Sequence, residues 1–278
     1  MLKIFTLVDN LAMPGYIAEH GYSLQIEFGG FKILFDTGQG NALAGNMAKA
    51  GIKPEDFDLL LLSHGHYDHT GGLPYFFEHN HHARFFVPEG AEISRFRRKD
   101  DGSMKPIDMP QTSRHLLFDL PDSRRLKFDF SPQNCHLFSG AGITGPVPRN
   151  TDFEPCEEFF FKDKNATEND PVADDISLWF ETNKGIIIVC GCCHSGLVNT
   201  IERIEFLIGD FRLRGIVGGM HLSAAPQRKI EKTIQYLQKL QPDFIVPAHC
   251  TGEAFFSGCL GNQTQIIKSA AGESFLFE

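Results

Sequence analysis

Three histidines and an aspartate stand within six positions of LSHGHYDHTGGL (62–73), directly behind the apolar run Leu59–Leu62. DLLLLS (58–63) is short, continuous and apolar, the mark of a strand buried on both faces. The loop leaving it must carry its polar side chains to one edge of a sheet. An extended backbone points alternate side chains the same way, so His64 and His66 address one point. Asp68 and His69 follow where Thr70-Gly71-Gly72 permits a sharp turn, and they address a second point nearby. Neutral imidazole and carboxylate are preferred ligands of Zn²⁺ and related divalent ions, and two adjacent metals fit this geometry. His79, His81 and His82, in FFEHNHHARFF, read instead as a surface loop.

The remaining chain alternates strands and helices around this loop. YSLQIEF (22–28) and FKILFD (31–36), separated by Gly29-Gly30, predict a hairpin. NALAGNMAKAGI (41–52) has helical spacing and a stop at Gly51. ISLWFET (176–182) and IIIVCGC (186–192) predict a second hairpin. IVGGMHL (216–222), the helix QRKIEKTIQYLQKL (227–240) and FIVPAH (244–249) form a strand–helix–strand unit, and SFLFE is placed at a sheet edge. Between about 75 and 151 the pattern loosens into an elaborated region, an insertion or lid within one domain of 1–278. Its strand candidates are RRLKFDF and CHLFSGAGIT. Strands with interspersed helices on both sides of the motif predict a layered α/β fold.

A metal centre needs more than one loop. His194 follows the strand IIIVCGC, His221 ends IVGGM and His249 ends FIVPA, so each lies just past a β-run where a sheet edge gathers side chains. His194 and His249 are the stronger ligand candidates and His221 the weaker. Asp36, ahead of Thr37-Gly38, is placed to accept a hydrogen bond from a ligating imidazole and fix its tautomer, although an Asx turn explains it equally.

Composition narrows the function classes. The formal charge of −9 is unfavourable for a phosphate-backbone binder. The basic cluster Arg95, Arg97, Arg98 and Lys99 reads as a solvated face or a handle for one phosphate group. No apolar stretch reaches the ~18 residues of a membrane span, and MLKIFTLVDN reads as a first strand rather than a signal peptide. Seven cysteines, four of them at Cys190, Cys192, Cys193 and Cys250, make no disulfide framework. A reducing cytoplasm is expected. No nucleic-acid or membrane partner is expected.

The set FDTG, SHGHYDHTGGL, GCCHSG, GGMHL and PAHCTG resembles the metallo-β-lactamase superfamily, whose signature is H-x-H-x-D-H. AEHG (18–21), TGPVPR (144–149) and the HCTG stretch are similar to the branch that includes a dihydropterin ribofuranosylaminobenzene phosphate synthase of methanopterin biosynthesis. The resemblance implies a four-layer αββα sandwich with a binuclear site at one edge of two sheets. His64, His66 and His194 would hold one metal, and Asp68, His69 and His249 the other. Many members carry a bridging Asp after the strand that here reads IIIVCGCC; no Asp stands there, and Cys192 occupies the neighbourhood. Di-iron electron-transfer relatives usually replace the second histidine with Glu, and His66 argues against that class.

A divalent ion with an open position lowers the pKa of bound water toward about 7 and stabilises charge on phosphoryl or carbonyl oxygen. The expected activity is metal-dependent hydrolysis of a small anionic ester, phosphoester or amide, with Asp68 also orienting water or moving a proton. Zn is the expected ion, with Mn or Fe also compatible. The alternatives are a transferase like the pterin synthase, in which an amine displaces pyrophosphate, and a metal-binding sensor without turnover. Arg149 is a candidate for the anionic group of the substrate, and Glu19 and His20 are candidates to face the cleft.

Overall fold

The computed structural model describes residues 1–253, 255 and 264–278. The strands β1 (Leu2–Val8), β2 (Ser23–Phe28) and β3 (Phe31–Phe35) are followed by α1 (Leu43–Ala50), β4 (Leu59–Leu61), α2 (Tyr67–Thr70), α3 (Leu73–His79) and β5 (Arg84–Phe86). Next come β6 (Phe96–Arg98), β7 (Met104–Pro106), α4 (Gln111–Asp119), β8 (His136–Phe138), β9 (Ala141–Ile143) and β10 (Phe160–Phe161). The chain then runs through β11 (Ser177–Thr182), β12 (Gly185–Cys190), α5 (Leu197–Ile208), β13 (Leu213–Gly218), α6 (Gln227–Leu240), β14 (Phe244–Pro247), β15 (Gln265–Ile266) and β16 (Ser274–Phe277).

Two sheets face each other. The first has the order β16-β1-β2-β3-β4-β5 and the second β15-β14-β13-β12-β11-β9-β8. The hairpin β2–β3 is antiparallel, with Ile26 opposite Ile33, while β3, β4 and β5 run parallel. In the second sheet β11–β12 is the expected antiparallel hairpin, and β12, β13 and β14 run parallel. Parallel neighbours end at the same edge, so the loops after β12, β13 and β14 emerge side by side.

Strand periodicity sorts the core into layers. Leu59 and Leu61 point between the sheets with Leu24, Ile26, Ile33 and Phe35, where they meet Leu178, Phe180, Ile187 and Val189. Leu60 and Leu62 point the other way, onto Leu43 and Met47 of α1 and Phe76 of α3. Ile186 and Ile188 likewise turn outward onto Ile201 and Ile204 of α5 and Ile230 and Leu237 of α6. DLLLLS is therefore apolar throughout because both of its faces are covered. Helices on the outer face of each sheet give the expected four-layer αββα sandwich.

Most expected elements appear, including α6 with the bounds 227–240 and β16 at the edge beside β1. Gly51 adopts φ 68° and ends α1. Three features differ from expectation. RRLKFDF is not a strand: Arg125 makes a single bridge to Phe85, and Phe128 and Phe130 pack against the core from an irregular segment. The elaborated region is not wholly beside the core, because β5 joins the first sheet and β8–β9 the second. What stands apart is the three-stranded sheet β10-β6-β7, whereas α4 buries Leu117 in the core layer that also holds Phe76 and Phe77 of α3. The additional helix α5 follows directly on His194-Ser195-Gly196, its first turn capped by Glu154, which accepts from Val198 N–H (3.0 Å) and Asn199 N–H (2.9 Å). Among the described residues no helix is long and apolar enough to cross a membrane.

Candidate metal centre

The loop after β4 is clamped before any ligand is considered. Asp36, at φ 60°, accepts the Ser63 N–H through Oδ1 and the Ser63 hydroxyl through Oδ2, each at 2.7 Å. His64 Nδ1 lies 2.9 Å from that hydroxyl, which leaves its Nε2 as the open edge of the ring. His69 Nδ1 is 2.7 Å from Asp36 Oδ2, with both side chains fully buried. Its Nε2 faces the Cys192 sulfur at 3.2 Å. One buried carboxylate thus orients two imidazoles, His69 directly and His64 through the Ser63 hydroxyl.

The second sheet delivers the rest. His194, past β12, packs its ring 4.8 Å from those of both His64 and His66, whose own centroids are 4.5 Å apart. His249, past β14, directs Nδ1 to Asn10 Oδ1 (3.0 Å) and Nε2 to Asp68 Oδ2 (3.5 Å). His20 reaches the same Asp68 oxygen at 3.1 Å, with 55% of its side chain exposed. The two histidine sets meet at Cys192. Its sulfur lies within 4.8 Å of donor atoms of His64 and His194, and within the same distance of His69 and His249. Cys192 therefore stands between the two sets, the place at which a bridging carboxylate was missed in the sequence.

Unsatisfied polar atoms test whether this set fits a metal. Nε2 of His64, Nε2 of His66 and both ring nitrogens of His194 are buried without a hydrogen-bond partner. Each such orphan costs about 1–3 kcal/mol. Their clustering on imidazoles beside a thiol and a carboxylate is what a divalent ion would satisfy, and the residues fit one. Burial pushes the imidazoles of His64, His66 and His194 well below the usual histidine range, with positive neighbours adding to the effect. Burial likewise takes His249 to about 4. For His69 burial acts in the same sense, but the Asp36 charge and hydrogen bond outweigh it and raise the ring to about 9. Burial would raise Asp68, yet its hydrogen bond to His20 and the charges of His69 and His249 hold it below the usual carboxylate range. At neutral pH most donors are therefore in their ligating form.

Backbone strain is concentrated here. Asp36 (φ 60°), Cys193 (φ 61°), His221 (φ 48°) and His249 (φ 48°) all occupy the left-handed region without being glycine, at a cost of order 1–3 kcal/mol each. His221 sits beside His194, with centroids 4.1 Å apart. Its Nε2 lies 3.7 Å from Glu157 and its backbone N–H donates to the Cys250 sulfur.

Two candidate substrate contacts, Glu19 and Arg149, have backbone partners in the structure. Glu19 accepts the backbone N–H groups of Gln39, Asn41 and Ala42 through its two oxygens, so it braces the turn leading into α1. Arg149 donates to the carbonyls of Pro171 and His194 and acts as a strut for the His194 loop. Arg95 is also not a solvated base: only 1% exposed, it pairs with Asp174 (2.6 Å) and Asp170 (3.2 Å).

The pair Asp174-Asp175 is a functional support that motif reading passed over. Asp174 accepts the Gly65 N–H at 2.8 Å, and Asp175 accepts the Ser195 N–H at 2.9 Å, so adjacent carboxylates hold the two halves of the histidine set. Burial raises Asp175 to about 6 against that hydrogen bond. Two acidic residues directly before a buried strand, VADDIS, were the available signal.

A profile of the metallo-β-lactamase superfamily matches residues 18–249. The chain is 31% identical over 253 residues to the uncharacterized protein MJ0448 of Methanocaldococcus jannaschii, covering 91% of each. It is 30% identical over 259 residues to the 7,8-dihydropterin-6-methyl-4-(β-D-ribofuranosyl)-aminobenzene-5'-phosphate synthase of the same organism, covering 90% of this chain and 88% of the relative. The solved structure of Tm1679, described as a metal-dependent hydrolase of the β-lactamase superfamily, aligns with a TM-score of 0.80 at 25% identity, covering 100% of this chain and 99% of that one. With fold, donor set and sequence in agreement, the chain belongs to the metallo-β-lactamase superfamily.

Proposed function

We propose that the protein is a metal-dependent hydrolase of a small anionic ester, phosphoester or amide, with two divalent ions held by one histidine set each. His64, His66 and His194 would hold the first ion and Asp68, His69 and His249 the second, with the Cys192 sulfur a further donor that could serve both. The observation that supports this most is the place of the Cys192 sulfur within reach of both sets. Ions bound there supply Lewis acidity and bring coordinated water toward a pKa of about 7. Asp36 and Ser63 hold the imidazoles in the tautomer that leaves Nε2 bare. Asp68, ionised and touching His20, orients the reactant and takes up its proton at Oδ2. His20, half exposed, passes that proton to solvent. Zinc suits a set of imidazoles and a thiolate, with manganese and iron the alternatives. Six free cysteines among the described residues accord with a reducing, cytoplasmic setting.

A second reading is a group transfer in which an amine displaces pyrophosphate at carbon. It is favoured by the relative that carries a synthase name at 30% identity. One experiment addresses both. Zinc- and manganese-loaded protein is offered phosphodiester, lactone, phosphomonoester and alkyl diphosphate substrates, the last with and without an added arylamine, in ¹⁸O-labelled water, beside the His66→Ala variant. Label in the product, lost with His66→Ala, supports hydrolysis. Pyrophosphate release that depends on an added amine, without label in the organic product, favours the transferase. Metal content unchanged in a folded His66→Ala protein, with no turnover of any substrate, defeats the proposal.

A further inference from the structure

We propose that Cys192, His221 and Cys250 form an additional site for a thiophilic divalent cation, sharing the Cys192 sulfur with the centre described above. One donor atom of each lies within 4.8 Å of the other two. The three come from the loops after β12, β13 and β14, adjacent parallel strands whose ends leave the sheet at one edge. Strands β12 and β14 flank β13 on either side, so the loops carrying Cys192 and Cys250 converge over the end of β13 to bring both sulfurs close to His221. The backbone is in the left-handed region at His221 and at Cys193 and His249, the residues next to the two cysteines. Strain of this kind persists where the surroundings enforce it and gathers at functional positions.

Orientation points the same way. His221 presents Nε2 to Glu157 Oε1 at 3.7 Å, while its Nδ1 is buried with no hydrogen-bond partner. A carboxylate on the far nitrogen of an imidazole is the arrangement that fixes a ligating ring and raises its basicity. Glu157 is itself balanced by Lys229, a 4% exposed ammonium 3.6 Å from the same oxygen. The outer pair is thus neutral. The Cys250 sulfur receives the His221 backbone N–H at 3.3 Å and lies 3.4 Å from the Cys192 carbonyl, which places the thiol between the other two donors. Two thiolates and a neutral imidazole match the charge of one divalent ion, and their softness selects zinc, cadmium or cobalt over magnesium, calcium and manganese.

This site shares Cys192 with the proposed binuclear centre but also depends on His221 and Cys250, which that centre does not use. The two readings therefore fail separately. The full-length protein is stripped with chelator under reducing conditions and titrated with Co²⁺ and Cd²⁺, reading thiolate-to-metal charge-transfer absorption in the near ultraviolet. Bound zinc is counted in parallel by mass spectrometry. The expected result is that Cys250→Ala and His221→Gln each lose one bound zinc relative to wild type, with a weaker charge-transfer band in the cysteine variant. His64→Ala is expected to lose zinc while retaining the band. If Cys250→Ala fails to fold by circular dichroism, His221→Gln decides through its zinc count. Wild-type zinc content in folded His221→Gln or folded Cys250→Ala overturns the site, as does a wild-type protein with no charge-transfer band. Zinc content unchanged by His64→Ala and His249→Ala but lowered by His221→Gln would instead overturn the binuclear reading and leave this one standing.

Discussion

Replacing Asp36 with asparagine removes one charge from a fully buried pair and should change both stability and metal affinity. In the metal-free protein His69 is raised from 6.5 to about 9 against the effect of burial, with the charge and hydrogen bond of Asp36 the largest raising causes and Asp68 and Cys250 adding to them. A histidine raised in the folded state stabilises fully below its unfolded pKa, and the contribution is lost as pH climbs through the folded value. Its window is thus about pH 6.5 to 9. Each tenfold gain in proton affinity on folding is worth roughly 1.4 kcal/mol, so the pair contributes about 3 kcal/mol near pH 6 and almost nothing near pH 10. Urea unfolding of chelator-treated, reduced wild type and Asp36→Asn, compared at several pH values, isolates this effect, because most other titrations occur in both proteins. The stability difference should shrink by about 3 kcal/mol between about pH 6 and pH 9.5. Zinc affinity should fall about 10–100-fold in the variant at neutral pH, because His69 loses the partner that keeps its Nδ1 protonated. A stability difference that stays constant with pH would rule out this coupling, and so would unaltered zinc affinity.

Other supports of the centre give further expectations. Arg95→Met leaves Asp174 and Asp170 buried without their cation, and chemical denaturation should show a loss of about 3–5 kcal/mol. Gly65→Ala would place its Cβ 1.9 Å from the Ala91 carbonyl oxygen; by overpacking alone, a loss of at least about 1–3 kcal/mol is expected in thermal or urea melts. Leu60→Ala opens a cavity between β4 and the α1/α3 layer and should cost about 2–5 kcal/mol without altering zinc stoichiometry. Cys192→Asp should retain zinc at the two histidine sets through a bridging carboxylate, whereas Cys192→Ala should weaken it, as read by competition with a chromophoric chelator.

The parts of this protein that were legible in sequence are those where periodicity or side-chain chemistry acts locally. DLLLLS announced a doubly covered strand because successive leucines face different layers, and QRKIEKTIQYLQKL announced α6 through its spaced Ile230, Ile234 and Leu237. His64, His66, Asp68 and His69 were legible because metal ligation by one loop leaves a compact mark. Supports that act through space left weaker marks, such as the paired acids of VADDIS, or none. Arg95 sits in a basic run and reads as solvent-facing, yet Asp174, 79 residues away, draws it inside. Glu19 and Arg149 read in sequence as candidates for the substrate, while in the fold backbone amides and carbonyls engage them. Cys192 was an ambiguity for the same reason: its significance comes from His69, 123 residues away, and from the convergence of two sheets.

The proposed chemistry stands or falls on two histidine sets, brought together by the two sheets, holding two ions with Cys192 between them. Anomalous diffraction at the absorption edge of the bound metal, from crystals of protein purified without added chelator, locates those ions without reference to activity. One peak is expected at bonding distance from His64, His66 and His194 and a second at bonding distance from Asp68, His69 and His249, with the Cys192 sulfur touching both. Metal-replete crystals with a single peak away from these residues, or two peaks with Cys192 bound to neither, would contradict the binuclear centre.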